Sequence, residues 1–251
     1  MTQPIQVRPR ASVRHAEVDG CRILLDLNTE SYRVLDPVAS AMWSALMGES
    51  DWTVTRQLLA DTYDVSPEVL NSDFADFAAN CRAQGILSET QRISDEELSA
   101  VQSGDPRQAL LPGPVSSRLP ATIRAIAIFY RTRRSLMQQG FRGTYERYAQ
   151  LPGGCNRERL PRAISAFGRA ETFFLSQRAP NDCLVRSLSL FRFLREQSIP
   201  AEHVIGVCRM PFQAHAWVEC DGQPILDERG LSGAFVPLAR LAATIPAEPR
   251  R

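Results

Sequence analysis

Lysine is absent from this 251-residue chain, and all 29 of its basic residues are Arg. No Schiff base can form on a side-chain amine, and no phosphate-binding loop with its lysine is available. Histidine is nearly as scarce, with His15, His203 and His215 alone. Three imidazoles without carboxylates at ligand spacing give no metal site, and no cofactor is expected. The six cysteines stand far apart with no CxxC pair, which argues against a zinc knuckle or disulfide framework and suits a reducing cytoplasm. No apolar run reaches membrane-spanning length, and the opening residues MTQPIQVRPRAS lack the apolar core of a signal peptide. Neither membrane insertion nor export is expected.

What is present describes an ordinary globular protein, 44% apolar and 23% charged, with enough chain for one large domain or two modest ones. Its net charge of +1 hides an asymmetry. Residues 1–90 hold 7 Arg against 13 Asp and Glu, a net of −6, and the remainder holds 22 against 15, a net of +7. Such a split predicts two domains with different partners.

The first domain is expected over residues 1–90. Apolar-rich runs at Ala11 to Glu17 and Cys21 to Leu27 are joined by Asp19-Gly20, a hairpin turn signal, and a second turn leads into Ser31 to Leu35. Asp36-Pro37 then gives an N-cap with Pro at the first helical position, opening a helix that Gly48 stops. Thr53 to Tyr63 reads as a second helix with Leu58 and Leu59 inward. Ser66-Pro67-Glu68 caps a third, with Val69, Leu70, Phe74, Phe77, Ala78 and Cys81 as its apolar stripe and Gly85 as terminator. Three strands followed by three helices outline a winged-helix unit. DNA binding fits poorly, because the third helix carries Glu68, Asp73 and Asp76 against Arg82, and DNA affinity rests on neutralising phosphates. A peptide fits better: the third strand (Tyr32, Arg33, Val34, Leu35) offers a free edge for an added strand, flanked by Asp73, Phe74, Asp76 and Phe77 of the third helix.

A linker is expected over residues 91–118, where Gly and Pro are frequent and only Asp95 to Val101 reads as helix. The second domain, 119–251, begins with a helix over Ala121 to Gln139 whose RTRR cluster reads as a solvated face. A short helix at Thr144 to Leu151 and another at Arg159 to Ser176 follow. Asn181 or Asp182 can then cap a helix that buries Leu184, Leu188, Phe191 and Leu194. This places Cys183 in the first turn, where unpaired N–H groups and the helix dipole favour a thiolate. Strands at His203 to Arg209, Ala214 to Cys220 and Gln223 to Asp227 complete the pattern.

A cysteine opening a helix, a histidine opening a strand and an aspartate closing the next strand are the parts of a thiol nucleophile, its base and an orienting group. Hairpin register decides whether His215 and Asp227 meet. A two-residue Asp221-Gly222 turn sets His215 across from Glu228. A three-residue Cys220-Asp221-Gly222 loop sets it across from Asp227, on the same side as Trp217, and is the expected form. Cys183 then attacks a carbonyl, His215 moves the proton and Asp227 fixes the tautomer. An oxyanion hole needs the Cys183 N–H and a second donor, for which Gln177 is the candidate and Asn181 the alternative. Cys21, Cys81, Cys208 and Cys220 lie inside apolar elements and read as core residues. Cys155 has no nearby base, and His15 and His203 read as strand-end residues.

Two resemblances rest on these segments. The run DGCRILLDLNTESYRVLDPVASAMWSAL with the close FAANCRAQGILS resembles a PqqD-type RiPP recognition element over about residues 8–90. That family implies that the third strand and third helix grip the leader segment of a ribosomal precursor peptide. CLVRSLSLFRFL with VIGVCRMPFQAHAWVECDGQPILDE resembles the transglutaminase-like (papain-like) superfamily over about residues 120–230, specifically the B2-type leader peptidases of lasso peptide biosynthesis. The matching residues there, Cys183, His215 and Asp227, are the family's catalytic triad. The fused pair resembles the one-chain lasso peptide B proteins. It implies an α+β chain that cuts a precursor between leader and core and hands the core to an asparagine-synthetase-like lasso cyclase. The residues themselves leave two other classes open: an amidase or acyltransferase acting on another peptide, and a non-catalytic adaptor that presents a peptide.

Overall fold

The structure is a computed structural model and describes residues 7–89, 120–174, 183–227 and 231–241. The chain divides into two compact units, Met1–Arg107 and Gln108–Arg251. The expected linker with its short helix, and the candidates Gln177 and Asn181, lie outside the described residues.

In the first unit β1 (Val7–Pro9), β2 (Val13–Val18), β3 (Cys21–Asp26) and β4 (Ser31–Leu35) precede α1 (Pro37–Leu46), α2 (Trp52–Tyr63), α3 (Pro67–Ala83) and β5 (Leu87–Glu89). Strands β2, β3 and β4 form an antiparallel meander in that order. Asp19 and Gly20 take φ of 50° and 72°, so the turn matches the right-handed strand twist and pairs Val18 with Cys21. Asp36, Asp51 and Ser66 each accept a backbone N–H from the first turn of the helix they cap. Trp43 of α1 is fully buried and packs among Val13, Leu24, Cys81, Ile86 and Leu87. Met42, Leu59, Ala60 and Leu70 form a second cluster between the helices. Ser40 ties α1 to the sheet: its Oγ accepts the Arg22 N–H at 2.7 Å and donates to the Leu35 carbonyl at 3.1 Å.

Two expectations are corrected here. Leu58 and Val69 point to solvent, 65% and 49% exposed, because the buried stripe of α2 runs through Thr55 and Leu59 and that of α3 through Leu70, Ala78 and Cys81. The pairing of β1 with β5, Val7 opposite Glu89, has no counterpart in the sequence pattern, since three-residue strands show no period to read.

The second unit comprises α4 (Ala121–Ala149), α5 (Leu160–Phe174) and α6 (Cys183–Arg195), followed by β6 (Glu202–Cys208), β7 (Gln213–Cys220), β8 (Gln223–Ile225) and β9 (Val236–Leu241). Gly140, at φ 67° and ψ −178°, breaks α4 between the two helices the sequence suggests. The sheet is antiparallel in the order β8-β7-β6-β9. Arg131, Arg133 and Arg134 are exposed, as a solvated face requires.

The helix carrying Cys183 departs from its one-sided expectation, because every residue of α6 from Ser187 to Arg195 is buried. α4 covers one side and the sheet covers another. Its arginines have partners inside the unit: Arg192 donates to Glu196 at 2.7 Å and lies over the Tyr148 ring at 5.6 Å, and Arg195 donates from Nη2 to the Leu151 carbonyl at 2.7 Å. Buried arginines imitate a solvent face in sequence. Edge strand β9 lies beyond the three strands the sequence suggests, and its Pro237 is tolerated because it sits at the sheet edge.

Candidate active site

Three elements converge on the site. Cys183 is the first residue of α6, His215 is the third of β7, and Asp227 follows β8 by two residues. His215 Nε2 lies 3.2 Å from Asp227 Oδ1, with the two side chains 17% and 5% exposed. The other carboxylate oxygen, Oδ2, accepts the Ser232 backbone N–H at 2.9 Å. The imidazole is also hydrogen-bonded to the Cys183 thiol. The structure therefore brings the three expected residues together.

Their protonation preferences are coupled. Burial opposes a charged sulfur at Cys183, but the hydrogen bond from His215, the backbone of Ala216 and Leu184 and the imidazolium charge outweigh it, so the thiol is held below its ordinary value. His215 is held above its ordinary value, first by its bond to Cys183 and next, against burial, by Asp227. Asp227 is pushed up by burial and pulled down further by the Ser232 N–H and His215, leaving it depressed. Both shifts move the pair toward thiolate and imidazolium.

The hairpin that delivers Asp227 corrects the expected register. Val218 pairs with Ile225, Glu219 with Pro224 and Cys220 with Gln223, so the loop is the two-residue Asp221-Gly222 turn. Both residues have positive φ, 52° and 75°, the geometry an Asp-Gly pair favours. Continued in that register, the ladder would set Asp227 one place away from His215. Instead β8 stops at Ile225 and Leu226 takes φ 54°, which turns the chain and returns Asp227 to the imidazole.

Several residues around the ring were not legible as site residues. Trp217 stacks along His215 with centroids 5.8 Å apart and planes 16° apart, as the expected shared strand face implies. Phe235, in the turn before β9, closes the other side at 5.4 Å. Gly206 sits opposite His215 on β6, and a Cβ there would come within 2.6 Å of Trp217. A glycine inside a strand is the signal that marks this close approach. His203 lies at the start of β6, as read, and is fully buried there, with Nε2 2.9 Å from Ser187 Oγ, and burial lowers its pKa to about 3. Among the described residues no cluster of three or more His, Cys, Asp or Glu could hold a metal. No described helix is long and apolar enough to cross a membrane.

In the first unit, β4 lies at the edge of its sheet among the described residues, and the backbone of Tyr32, Arg33, Val34 and Leu35 ladders with β3. Val34 is 49% exposed. The Arg33 guanidinium donates to Gln84, just beyond α3, so the strand edge and the end of the helix adjoin. Asp73 and Asp76 are exposed on α3. Phe74 stacks on Trp52 with centroids 4.0 Å apart, and Phe77 packs half-buried against both core clusters.

With both units in view, comparison with known families defines the class. Residues 21–87 match the family described as Coenzyme PQQ synthesis protein D (PqqD), and residues 123–240 match the Transglutaminase-like superfamily. The chain is thus an α+β protein in which a PqqD-type domain precedes a transglutaminase-like domain. Among individual proteins it is similar to the microcin J25-processing protein McjB of Escherichia coli, 49% identical over 61 residues. Those residues are 24% of this chain and span only 29% of that relative. Two solved chains are also similar. One, titled "TbiB1 in Complex with the TbiA(beta) Leader Peptide", is 25% identical with a TM-score of 0.29, covering 34% of this chain and 98% of its own. The other, "Lasso peptide synthetase B1 complexed with the leader peptide", is 22% identical with a TM-score of 0.30, covering 33% and 98%. The resemblance to the lasso peptide biosynthesis B proteins read from the sequence is borne out.

Proposed function

We propose that this chain is a leader peptidase of lasso peptide maturation, binding the leader of a precursor with its PqqD-type domain and cutting the leader–core bond with Cys183, His215 and Asp227. The observation that carries the reading is the hydrogen-bonded array at the start of α6, in which the carboxylate lies 3.2 Å from one imidazole nitrogen and the same ring is hydrogen-bonded to the thiol. The Cys183 thiolate attacks the scissile carbonyl carbon, and the electron pair of the C=O bond moves to oxygen. As the tetrahedral species collapses, the C–N bond breaks and the His215 imidazolium protonates the leaving amine, which is the core N-terminus. His215, now neutral, takes a proton from water, whose oxygen displaces the thiolate from the thioester and releases the leader carboxylate. Asp227 keeps the imidazole in the tautomer that both steps need.

The edge position of β4 supports leader binding by strand addition, with residues 31–35 as the template and the exposed Asp73 and Asp76 of α3 as candidate contacts for the leader. Tethering the two domains in one chain, with residues 91–118 as the joining segment, raises the concentration of the scissile bond at Cys183. The released core amine then passes to an asparagine-synthetase-like lasso cyclase as partner.

Incubation with a precursor peptide followed by mass spectrometry tests the reading. One cut at the leader–core junction is expected, lost in Cys183→Ala and weakened in Val34→Asp. A peptide that stays bound and intact with the wild-type chain would instead identify an adaptor. Transfer of the leader to an added amine in place of water would identify an acyltransferase.

A further inference from the structure

Arg186 stands three residues beyond Cys183 on α6, about one turn away on the same side of the helix. Its side chain is largely enclosed, at 19% exposure, and spans two other elements of the unit. Nε donates to Glu171 Oε1 of α5 at 2.6 Å, and Nη2 donates to the Leu226 carbonyl oxygen at 2.7 Å. Glu171 is itself enclosed, at 10% exposure, so the guanidinium is held on one side by a buried carboxylate. A planar guanidinium presents its donors at fixed angles, and a lysine ammonium could not reproduce both contacts in one geometry.

The contact with Leu226 matters because of what this residue does. Its φ of 54° is a left-handed conformation that leucine adopts only under strain. That conformation turns the chain out of the β7–β8 ladder and carries Asp227 to His215. A strained residue persists where its surroundings over-determine it, and the carbonyl of Leu226 is fixed by Arg186.

We propose that Arg186, gripped by Glu171, is a positioning residue: by holding the Leu226 carbonyl it aims Asp227 at His215 from the same helix that carries Cys183. The inference deepens the peptidase reading and depends on it for its catalytic meaning. It makes α6 the common reference for both ends of the array. The nucleophile sits on the helix covalently, and the orienting carboxylate is tied to it through one side chain and one carbonyl.

Alkylation of Cys183 by iodoacetamide in the full chain, followed across pH by peptide mass spectrometry, tests this without any peptide substrate, since the thiolate is the reacting form. Arg186→Gln is expected to move the midpoint of the alkylation profile to higher pH. Above neutral pH, each further whole pH step of that midpoint leaves about tenfold less thiolate at pH 7. Asp227→Asn should move it in the same direction. The double variant Arg186→Gln/Asp227→Asn should react no more slowly than Asp227→Asn, because both changes act through one carboxylate. Arg186→Lys, which keeps charge and one donor, should fall between wild type and Arg186→Gln. Thermal melting checks folding; if Arg186→Gln unfolds, the profiles of Arg186→Lys and Glu171→Gln decide by the same criterion. A folded variant with a wild-type profile, or losses that multiply in the double variant, overturns the proposal. A wild-type chain that leaves the precursor uncut while these changes in profile appear would refute the peptidase reading and keep the positioning role.

Discussion

The two units present their surfaces in different ways. The site proposed in the first is a strand edge, built from backbone N–H and C=O groups that any residue but proline would supply, in a unit whose sequence is acidic. The site in the second is an array of side chains, each held by a partner at hydrogen-bond distance, on a helix that buries Arg192 and Arg195. The contrast teaches that a recognition surface of this kind is robust to substitution and fragile to strand geometry, whereas a thiol array is the reverse.

The sharpest way to separate the two is to remove the sulfur. Cys183→Ala should abolish cleavage altogether and leave leader affinity unchanged, measured by mass spectrometry for the first and fluorescence anisotropy for the second. Next in size, Asp227→Asn should lower kcat about a hundredfold, the scale of a misdirected general base. Cys183 is held below its ordinary value and His215 above it, and Asp227 contributes to the second of these shifts. Removing the carboxylate charge lowers the His215 pKa and raises that of Cys183, and a bell-shaped pH–rate profile should narrow from both sides.

A third experiment tests whether the second unit alone carries a pH-dependent core. His203 has a folded pKa of about 3 against an ordinary 6.5, because burial disfavours its charged form. The unfolded chain therefore binds the extra proton between those values. The contribution of the neutral imidazole is complete above pH 6.5 and is lost as pH falls toward 3, by at most about 1.4 kcal/mol per pH unit. Melting of the full chain followed at both units should show the second losing stability over this window more steeply than the first, and His203→Gln should flatten that slope. Gly206→Ala should destabilise the second unit by about 1–3 kcal/mol, since the added Cβ meets Trp217. The smallest effect is expected in the first unit, where Ser40→Ala leaves the buried Arg22 N–H without its acceptor, at about 1 kcal/mol by denaturant melting.

Much of this organisation was legible because it is written in local chemistry. Asp19-Gly20, Asp36-Pro37 and Ser66-Pro67 specify turns and caps within a few residues, and a cysteine at a helix start followed by strand-borne His and Asp is a pattern of residue types. What escaped is what depends on tertiary surroundings. The arginines of α6 look solvated until α4 and its Tyr148 are placed over them. The three-residue strands β1 and β5 exist only through each other. The Asp227 register differs from expectation for a physical reason: a regular pleat does not continue to Asp227, and the departure at Leu226, which no propensity favours, delivers the carboxylate. Arg186 lies on the same helix as the thiol, yet its partners are separated from it by 15 and 40 residues, beyond any local signal.

The Ser232 N–H, whose hydrogen bond ends on Asp227 Oδ2, turns one amide proton into a gauge. Its exchange with deuterium requires that bond to open, so its protection reads out directly how often the carboxylate is seated. The amides in the buried stretch of α6 exchange only when a much larger region opens. The ratio of the two rates would give, without substrate, the fraction of time the acid arm spends away from a thiol that stays in place.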